Sequence, residues 1–88
     1  MTIGVTGSTG FLGSRVVAAL LARHHVVRCA IRSERKGAAL ADALPSDQRK
    51  RLQLLTGSLA SIEFCREFVT HCDVVVHVAS PLNGSRWN

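Results

Sequence analysis

The sequence predicts an α/β fold with a doubly wound parallel sheet, in which later strands are added on both sides of the first strand. Short stretches rich in valine, isoleucine and leucine alternate with segments whose apolar residues recur every three or four positions. A glycine-rich turn joins the first of these strands to the first helix. The last strand is an almost continuous apolar run, which is typical of a parallel strand covered on both faces. Right-handed crossovers then predict a doubly wound parallel sheet of about four strands in the order 3-2-1-4.

The first half of the chain contains two predicted strand–helix pairs. A strand over residues 3–6 enters the glycine-rich turn, and a helix follows over residues 10–23 because Leu12, Val16 and Leu20 share one face. Valine and isoleucine predict the second strand over residues 25–32. A second helix runs from Ser33, whose side chain can cap it, to about residue 44, where Pro45 follows.

The second half repeats this alternation once more. A polar connector over residues 46–50 leads to a third strand over residues 52–56, which Gly57 closes. A third helix is predicted by apolar residues spaced three and four apart, which are Ile62, Cys65, Phe68, Val69 and Cys72. The fourth strand is predicted over residues 74–78.

Length and composition narrow the class of protein. Eighty-eight residues form one small domain, and no apolar run approaches the roughly 18 residues that a membrane span requires. The first strand begins too early to leave room for a signal peptide, so we expect a cytoplasmic protein with no membrane partner. The three cysteines form no Cys-x-x-Cys pair and are expected to be reduced, with Cys29 and Cys65 in the core. The four histidines are scattered, so no metal site is predicted.

The net charge of +5 raises the question of an anionic partner. Nucleic acid is not favoured, because the chain has no nucleic-acid motif, few aromatic residues and no tyrosine for stacking bases. A phosphorylated small molecule accounts better for the first basic cluster, which is Arg28, Arg32, Arg35 and Lys36. The second cluster, Arg49, Lys50 and Arg51, is interpreted as a solvated turn.

The glycine-rich turn, Gly7-Ser8-Thr9-Gly10-Phe11-Leu12-Gly13, has the spacing of a phosphate-binding loop. Gly7 permits a tight exit from the strand, Gly10 permits the backbone to approach a diphosphate, and Gly13 permits close helix packing. The unpaired N–H groups of the helix then point toward the turn, beside the positive end of the helix dipole. This pattern predicts dinucleotide binding. The alternative is a turn with a purely structural role.

With Thr6 included, the stretch Thr-Gly-x-x-Gly-Phe-Leu-Gly resembles the cofactor loop of extended short-chain dehydrogenases/reductases. This group includes sugar-nucleotide epimerases, dihydroflavonol reductases and aldehyde reductases. The resemblance extends over residues 2–81, about the first quarter of a family member. It implies a Rossmann-type NAD(P)-binding domain, partial here, over residues 1–82, with a polar tail over residues 83–88. It also implies that the residues from Gly7 to Leu12 wrap the cofactor diphosphate.

The end of the second strand points to the choice of cofactor. A carboxylate there would bind the ribose hydroxyls of NAD, whereas arginine accommodates the 2′-phosphate of NADP. Arg32-Ser33-x-x-Lys36 resembles the 2′-phosphate site of NADP-dependent reductases in the dihydroflavonol-reductase-like branch. We therefore expect NADP in preference to NAD, with Arg32 and Lys36 as ligands. The alternative is a solvated helix start, which Glu34 slightly favours.

Two later segments resemble the same branch. Gly57-Ser58-Leu59 resembles a Gly-Asp-Leu element whose aspartate contacts the adenine amino group, so Ser58 and Leu59 are expected near the adenine, without the charge. The fourth strand and the turn after it resemble the stretch that passes the ribose and nicotinamide. This makes Ala79, Ser80 and Pro81 expected cofactor neighbours. His77, among valines, is interpreted as a core histidine.

The chain also departs from the family. Family members have glycine in place of His24 and His71, each just past a helix, where a left-handed conformation is expected. The catalytic Tyr-x-x-x-Lys pair has no counterpart, because the chain contains no tyrosine, and no catalytic residue is assigned. We therefore expect the NADP-binding portion of a reductase of small carbonyl substrates. The alternatives are a non-catalytic NADP-sensing module and a fragment without function. The unpaired edge of the fourth strand also favours self-association.

Overall fold

The computed structural model describes residues 1–78. Its elements are β1 Thr2–Thr6, α1 Phe11–Ala22, β2 Val26–Ile31, α2 Glu34–Asp42, α3 Ser46–Arg49, β3 Leu52–Thr56, α4 Ile62–Thr70 and β4 Val74–His77. All strand pairs are parallel and the sheet order is β3-β2-β1-β4. The predicted fold class and strand order are confirmed. The boundaries agree within one or two residues, except that the polar connector contains the short helix α3.

The helices cover the two faces of the sheet unequally. Successive strand residues point to opposite faces, so Ile3 and Val5 of β1 face α1, whereas Gly4 faces α4. The main core lies between the sheet and the pair α1 and α2. It consists of Ile3, Val5, Val17, Leu21, Val27, Cys29, Ile31, Leu40 and Leu44. On the other face α4 packs through the buried ring of Phe68, which would lie 3.0 Å from a Cβ added at Gly4.

Arg28, in the middle of β2, fastens α4 to the sheet. The Nε group of Arg28 donates to the Phe68 carbonyl at 3.1 Å and Nη2 donates to the Glu67 carbonyl at 3.2 Å. Nη1 donates to Gln53 Oε1 at 3.1 Å. The guanidinium thus satisfies carbonyls in the last turn of α4, where the helix dipole favours a cation. The assignment of Arg28 to a phosphate-binding cluster is therefore wrong, because this side chain is buried and each of its three nitrogens donates to a protein group.

The second basic cluster also has a structural role. Arg51 donates from Nη2 to the Leu21 carbonyl at 2.8 Å, in the last turn of α1. Arg49 donates from Nη2 to the Leu44 carbonyl at 3.2 Å, just past α2. These two arginines bind helix ends. The interpretation of residues 49–51 as a solvated turn is wrong for Arg51, which is half-buried, whereas Arg49 and Lys50 are exposed as predicted.

The two histidines that follow helices differ from each other. His24 has a φ of 69°, the left-handed conformation that the sequence predicted. For an L-residue this region costs roughly 1–2 kcal/mol relative to ordinary backbone. His71 caps α4 at φ −104° and ψ 14°, so the prediction of a left-handed residue there is wrong. Asp73 follows closely, and its carboxylate accepts the Thr2 N–H at 2.8 Å where β1 begins.

β4 pairs with β1, and among residues 1–78 no strand lies on its other side. Val74 and Val75 are about half exposed. Self-association through this edge stays a prediction. None of the helices in the described range is long and apolar enough to cross a membrane.

Candidate functional site

The turn after β1 is held in shape by its own backbone and by the end of β4. Gly7 has a φ of 69°, which places it in the left-handed region that favours glycine. A Cβ at this position would also lie only 2.5 Å from the Val78 carbonyl oxygen. The Gly10 N–H closes the turn by donating to the Gly7 carbonyl at 3.3 Å. Gly7 therefore serves both the turn and the close approach of β4.

The other two glycines of the turn differ in what surrounds them. A Cβ at Gly13 would overlap the Gly7 carbonyl and lie 3.0 Å from the Cα of Ser8. The close packing predicted for Gly13 is thus against the turn itself rather than against the strand. A Cβ at Gly10 would meet only the Gly7 oxygen, at 3.6 Å, with open space beyond. The protein therefore has room for a side chain at Gly10, and a bound group would need that space.

The N-terminus of α1 is open, unlike those of α2 and α4. Gly10 is its N-cap and offers no side chain, and the first turn contains no acidic residue. In α2 and α4, the Ser33 and Ser61 hydroxyls accept from main-chain N–H groups at 3.4 and 3.2 Å. The first turns of those helices also carry Glu34 and Glu63. α1 thus presents unpaired N–H groups and positive dipole potential to an external anion.

Ser8 lies under the turn rather than on its outer surface. Its residue is 1% exposed, and its hydroxyl has no well-formed hydrogen bond in the described structure. Burial raises the pKa of the Cys29 thiol to about 11, and the Ser8 hydroxyl beside it offsets only part of this rise. Cys29 is therefore a protonated core residue, as predicted. Cys65 is only half-buried, so its assignment to the core is wrong. Ser8 can offer a ligand its main chain but not its side chain.

Phe11 and Leu12 lie on the outer surface at the start of α1. Their side chains are 75% and 54% exposed. The Arg15 guanidinium lies 3.9 Å from the centre of the Phe11 ring. Sequence reasoning did not single out Arg15. The signal was available, because residues four apart in a helix are neighbours and arginine stacks on aromatic rings.

One of the two predicted 2′-phosphate ligands, Lys36, lines a cleft of about 330 Å³ between the turn and α2. Thr9, Ser14 and Lys36 contribute polar groups to its wall, and Ala39, Leu40 and Ala43 contribute apolar surface. The structure thus brings Thr9 and Lys36 together. Arg32 is exposed immediately after β2 and is not part of this wall. Ser33, between them, is used as the cap of α2.

The remaining predicted neighbours lie at the ends of β3 and β4. Ser58 and Leu59 are exposed, and the Ser58 hydroxyl accepts the Ala60 N–H at 3.1 Å. Ala79, Ser80 and Pro81 lie outside the described residues, as does the predicted polar tail. His77 is exposed, and its Nδ1 shares a hydrogen bond of 2.5 Å with the Thr6 hydroxyl. The interpretation of His77 as a core histidine is therefore wrong.

These features define a dinucleotide-binding α/β domain. A glycine turn follows the first strand, the next helix begins with an open N-terminus, and the order of the parallel strands reverses beside that turn. A diphosphate fits the space at Gly10 and the N–H groups of α1. The pattern of the NAD-dependent epimerase/dehydratase family matches residues 3–88. The chain belongs to this family.

Comparisons with individual proteins agree with the family. A 4-hydroxy-2-methyl-3-oxo-4-farnesyl-3,4-dihydroquinoline-1-oxide ketoreductase of Stigmatella aurantiaca is 36% identical over 76 residues, covering 86% of this chain and 21% of that protein. Vestitone reductase from alfalfa superposes with a TM-score of 0.74 at 28% identity, covering 93% of this chain and 26% of the reductase. The NADPH complex of Gre2 from Candida albicans gives 0.74 at 29% identity, with coverages of 92% and 25%. The chain thus spans about a quarter of these proteins.

Proposed function

We propose that this chain binds NADP(H) through the turn at residues 7–13 and the start of α1. The observation that carries the proposal is the open N-terminus of α1, which has neither a side-chain cap nor an acidic residue. The Phe11, Leu12 and Gly13 N–H groups would receive the diphosphate, as would the main chain of Ser8 and Thr9. Gly10 would leave the space that the diphosphate needs.

The preference for NADP over NAD rests on the charges beside α2. The residue directly after β2, where an NAD-binding protein would place a carboxylate, is the exposed Arg32, and Glu34 lies two residues further along at the start of α2. Lys36 lies on the wall of the cleft that begins at Thr9. A 2′-phosphate in this region would lie between a guanidinium and an ammonium group. Ser58 and Leu59 would face the adenine, and Ala79, Ser80 and Pro81 the nicotinamide half. The NADPH and NADP+ complexes among the similar structures support the same choice.

Arg32→Ala tests this preference. We expect the unsubstituted chain to bind NADP+ more tightly than NAD+, and the substitution to remove most of the difference. A charge-assisted contact of this kind contributes roughly 1.5–3 kcal/mol. Isothermal titration calorimetry with both dinucleotides measures the ratio. Arg66→Ala, also exposed but on α4 and outside this cluster, is the matched control and should leave the ratio unchanged. Equal affinities of the unsubstituted chain for the two dinucleotides would contradict the proposal.

We further propose that the chain is the cofactor-binding portion of a cytoplasmic reductase that acts on a small carbonyl compound. The ketoreductases and reductases among its relatives support this class. Reduced nicotinamide, when bound, would supply hydride, and the residues above would bind and orient the dinucleotide. The three free thiols, Cys29, Cys65 and Cys72, are consistent with a reducing compartment.

Cofactor binding and carbonyl reduction can be tested separately on the 88-residue chain. With NADPH and a panel of aldehydes and ketones, we expect binding without turnover, because the sequence contains no tyrosine to protonate the carbonyl oxygen. The absorbance of NADPH at its nicotinamide band follows the reaction. Gly10→Val is the control, since it should remove binding. Carbonyl-dependent oxidation of NADPH that Gly10→Val abolishes would show that the chain is catalytic by itself.

A further inference from the structure

Arg15 lies where its charge is unfavourable for the free protein. It is the fifth residue of α1, one turn after Phe11, and its guanidinium stacks 3.9 Å from the Phe11 ring centre. Its Nη1 also makes a long hydrogen bond of 3.5 Å to the Phe11 carbonyl. The ring and the hydrogen bond both hold the cation beside the first residue of the helix. That end of a helix carries positive dipole potential, which disfavours a nearby cation.

Nothing in the first turn of α1 compensates this charge. Neither an acidic residue nor a side-chain cap is present there. The first turns of α2 and α4, by contrast, contain Glu34 and Glu63, whose negative charge the dipole favours. The arrangement becomes favourable only when an external anion reaches the N–H groups of α1, because the anion then attracts both the dipole and the guanidinium.

We propose that Arg15 is an additional positioning residue for the diphosphate, acting through its charge and oriented by the ring of Phe11. This inference rests on the proposed function and deepens it. Phe11 then has two roles: its N–H faces the anion, and its exposed ring keeps Arg15 along the helix rather than extended into solvent. The charge of Arg15 would attract the diphosphate, which is the same group in NADH and NADPH. Its contribution is therefore the same for both dinucleotides, in contrast to that of Arg32.

The experiment compares Arg15→Gln, Arg15→Lys and Arg23→Gln with the unsubstituted chain. Arg23 is the exposed C-cap of the same helix, so Arg23→Gln changes the net charge equally at the opposite end. Calorimetry with NADH and NADPH gives the affinities at two ionic strengths, and thermal unfolding without ligand gives the midpoint. We expect Arg15→Gln to weaken binding of both dinucleotides by about three- to fivefold, the size of one cation in the field of a helix terminus. The ratio between the dinucleotides should stay unchanged, the midpoint should not fall, because the removed charge is unfavourable in the free protein, and binding should depend less on salt.

A variant that keeps only the positive charge distinguishes an electrostatic role of Arg15 in dinucleotide binding from a role in the stability of the fold. Arg15→Lys keeps the cation and should retain most of the affinity. The assignment is overturned if Arg15→Gln and Arg23→Gln lose equal affinity, because a change in net charge would then be sufficient. It is also overturned if the unfolding midpoint falls together with the affinity. If the unsubstituted chain binds neither dinucleotide, the proposed function fails. If that chain binds them and Arg15→Gln binds equally well, only this inference fails.

Discussion

Replacing Gly13 with alanine is expected to lower the free energy of unfolding by about 3 kcal/mol, at the upper end of the usual cost of overpacking. The added methyl group would overlap the Gly7 carbonyl, and the next nearest atoms belong to the backbone of Gly7 and Ser8. Backbone cannot move aside as the end of a flexible side chain can. In so small a domain this loss is large enough to remove the cooperative transition altogether. Urea denaturation followed by circular dichroism measures it.

Gly10→Ala is the matched control, because it adds the same methyl group three residues earlier in the same turn. The Cβ at Gly10 meets only the Gly7 oxygen, at an ordinary contact distance. We expect a loss of no more than about 1 kcal/mol, the scale of an altered N-cap. Dinucleotide affinity, however, should fall in this variant, because the methyl group occupies the space proposed for the diphosphate. Equal destabilisation by the two substitutions would contradict the distinction between a packing glycine and a ligand-binding glycine.

Arg28→Met is expected to destabilise the fold by about 3 kcal/mol, because it removes three hydrogen bonds from a charged donor, two of them to main-chain carbonyls of α4. Methionine keeps a comparable apolar stem, so the change isolates the guanidinium. The loss should be concentrated in α4, whose Glu67 and Phe68 carbonyls accept from Arg28. Hydrogen exchange should therefore accelerate in α4 more than in β1.

The control for this experiment is Arg66→Met, on the exposed surface of α4. It makes the same change of side chain on the same helix and should alter the free energy of unfolding by less than about 0.5 kcal/mol, as is usual at exposed positions. A similar small effect of Arg28→Met would show that α4 is held by the packing of Phe68 alone.

Most of the fold could be predicted because periodicity and glycine spacing are local properties of the sequence. The valine-rich run at residues 74–77, for example, specified a parallel strand without knowledge of its neighbour. Its expected cover on both faces is wrong for the described residues, because Val74 and Val75 are exposed. The same reasoning identified Gly7 and Gly13, since their roles depend on atoms only a few residues away. The left-handed residue His24 was predictable for the same reason.

Sequence reasoning failed where the partner of a polar group lies far along the chain. Arg28 was grouped with Arg32 by proximity in sequence, although its carbonyl partners lie 39 and 40 residues away. The alternation of β2 contained a usable signal. Val27 and Cys29 face the main core, so Arg28 must face the opposite side of the sheet, where α4 ends. His77 was misplaced because its apolar neighbours in sequence do not surround it in space. Four residues of polar sequence gave no indication that α3 is helical.

The three arginines that bind helix ends make contacts that are independent of pH. Arg28, Arg49 and Arg51 donate to main-chain carbonyls of Phe68, Leu44 and Leu21. A guanidinium keeps its proton up to a pH of about 12, and an amide oxygen takes up none in ordinary acid. A salt bridge, by contrast, loses its attraction when acid neutralises the carboxylate. These three contacts therefore do not rest on the charge of any carboxylate, so mild acid leaves them in place.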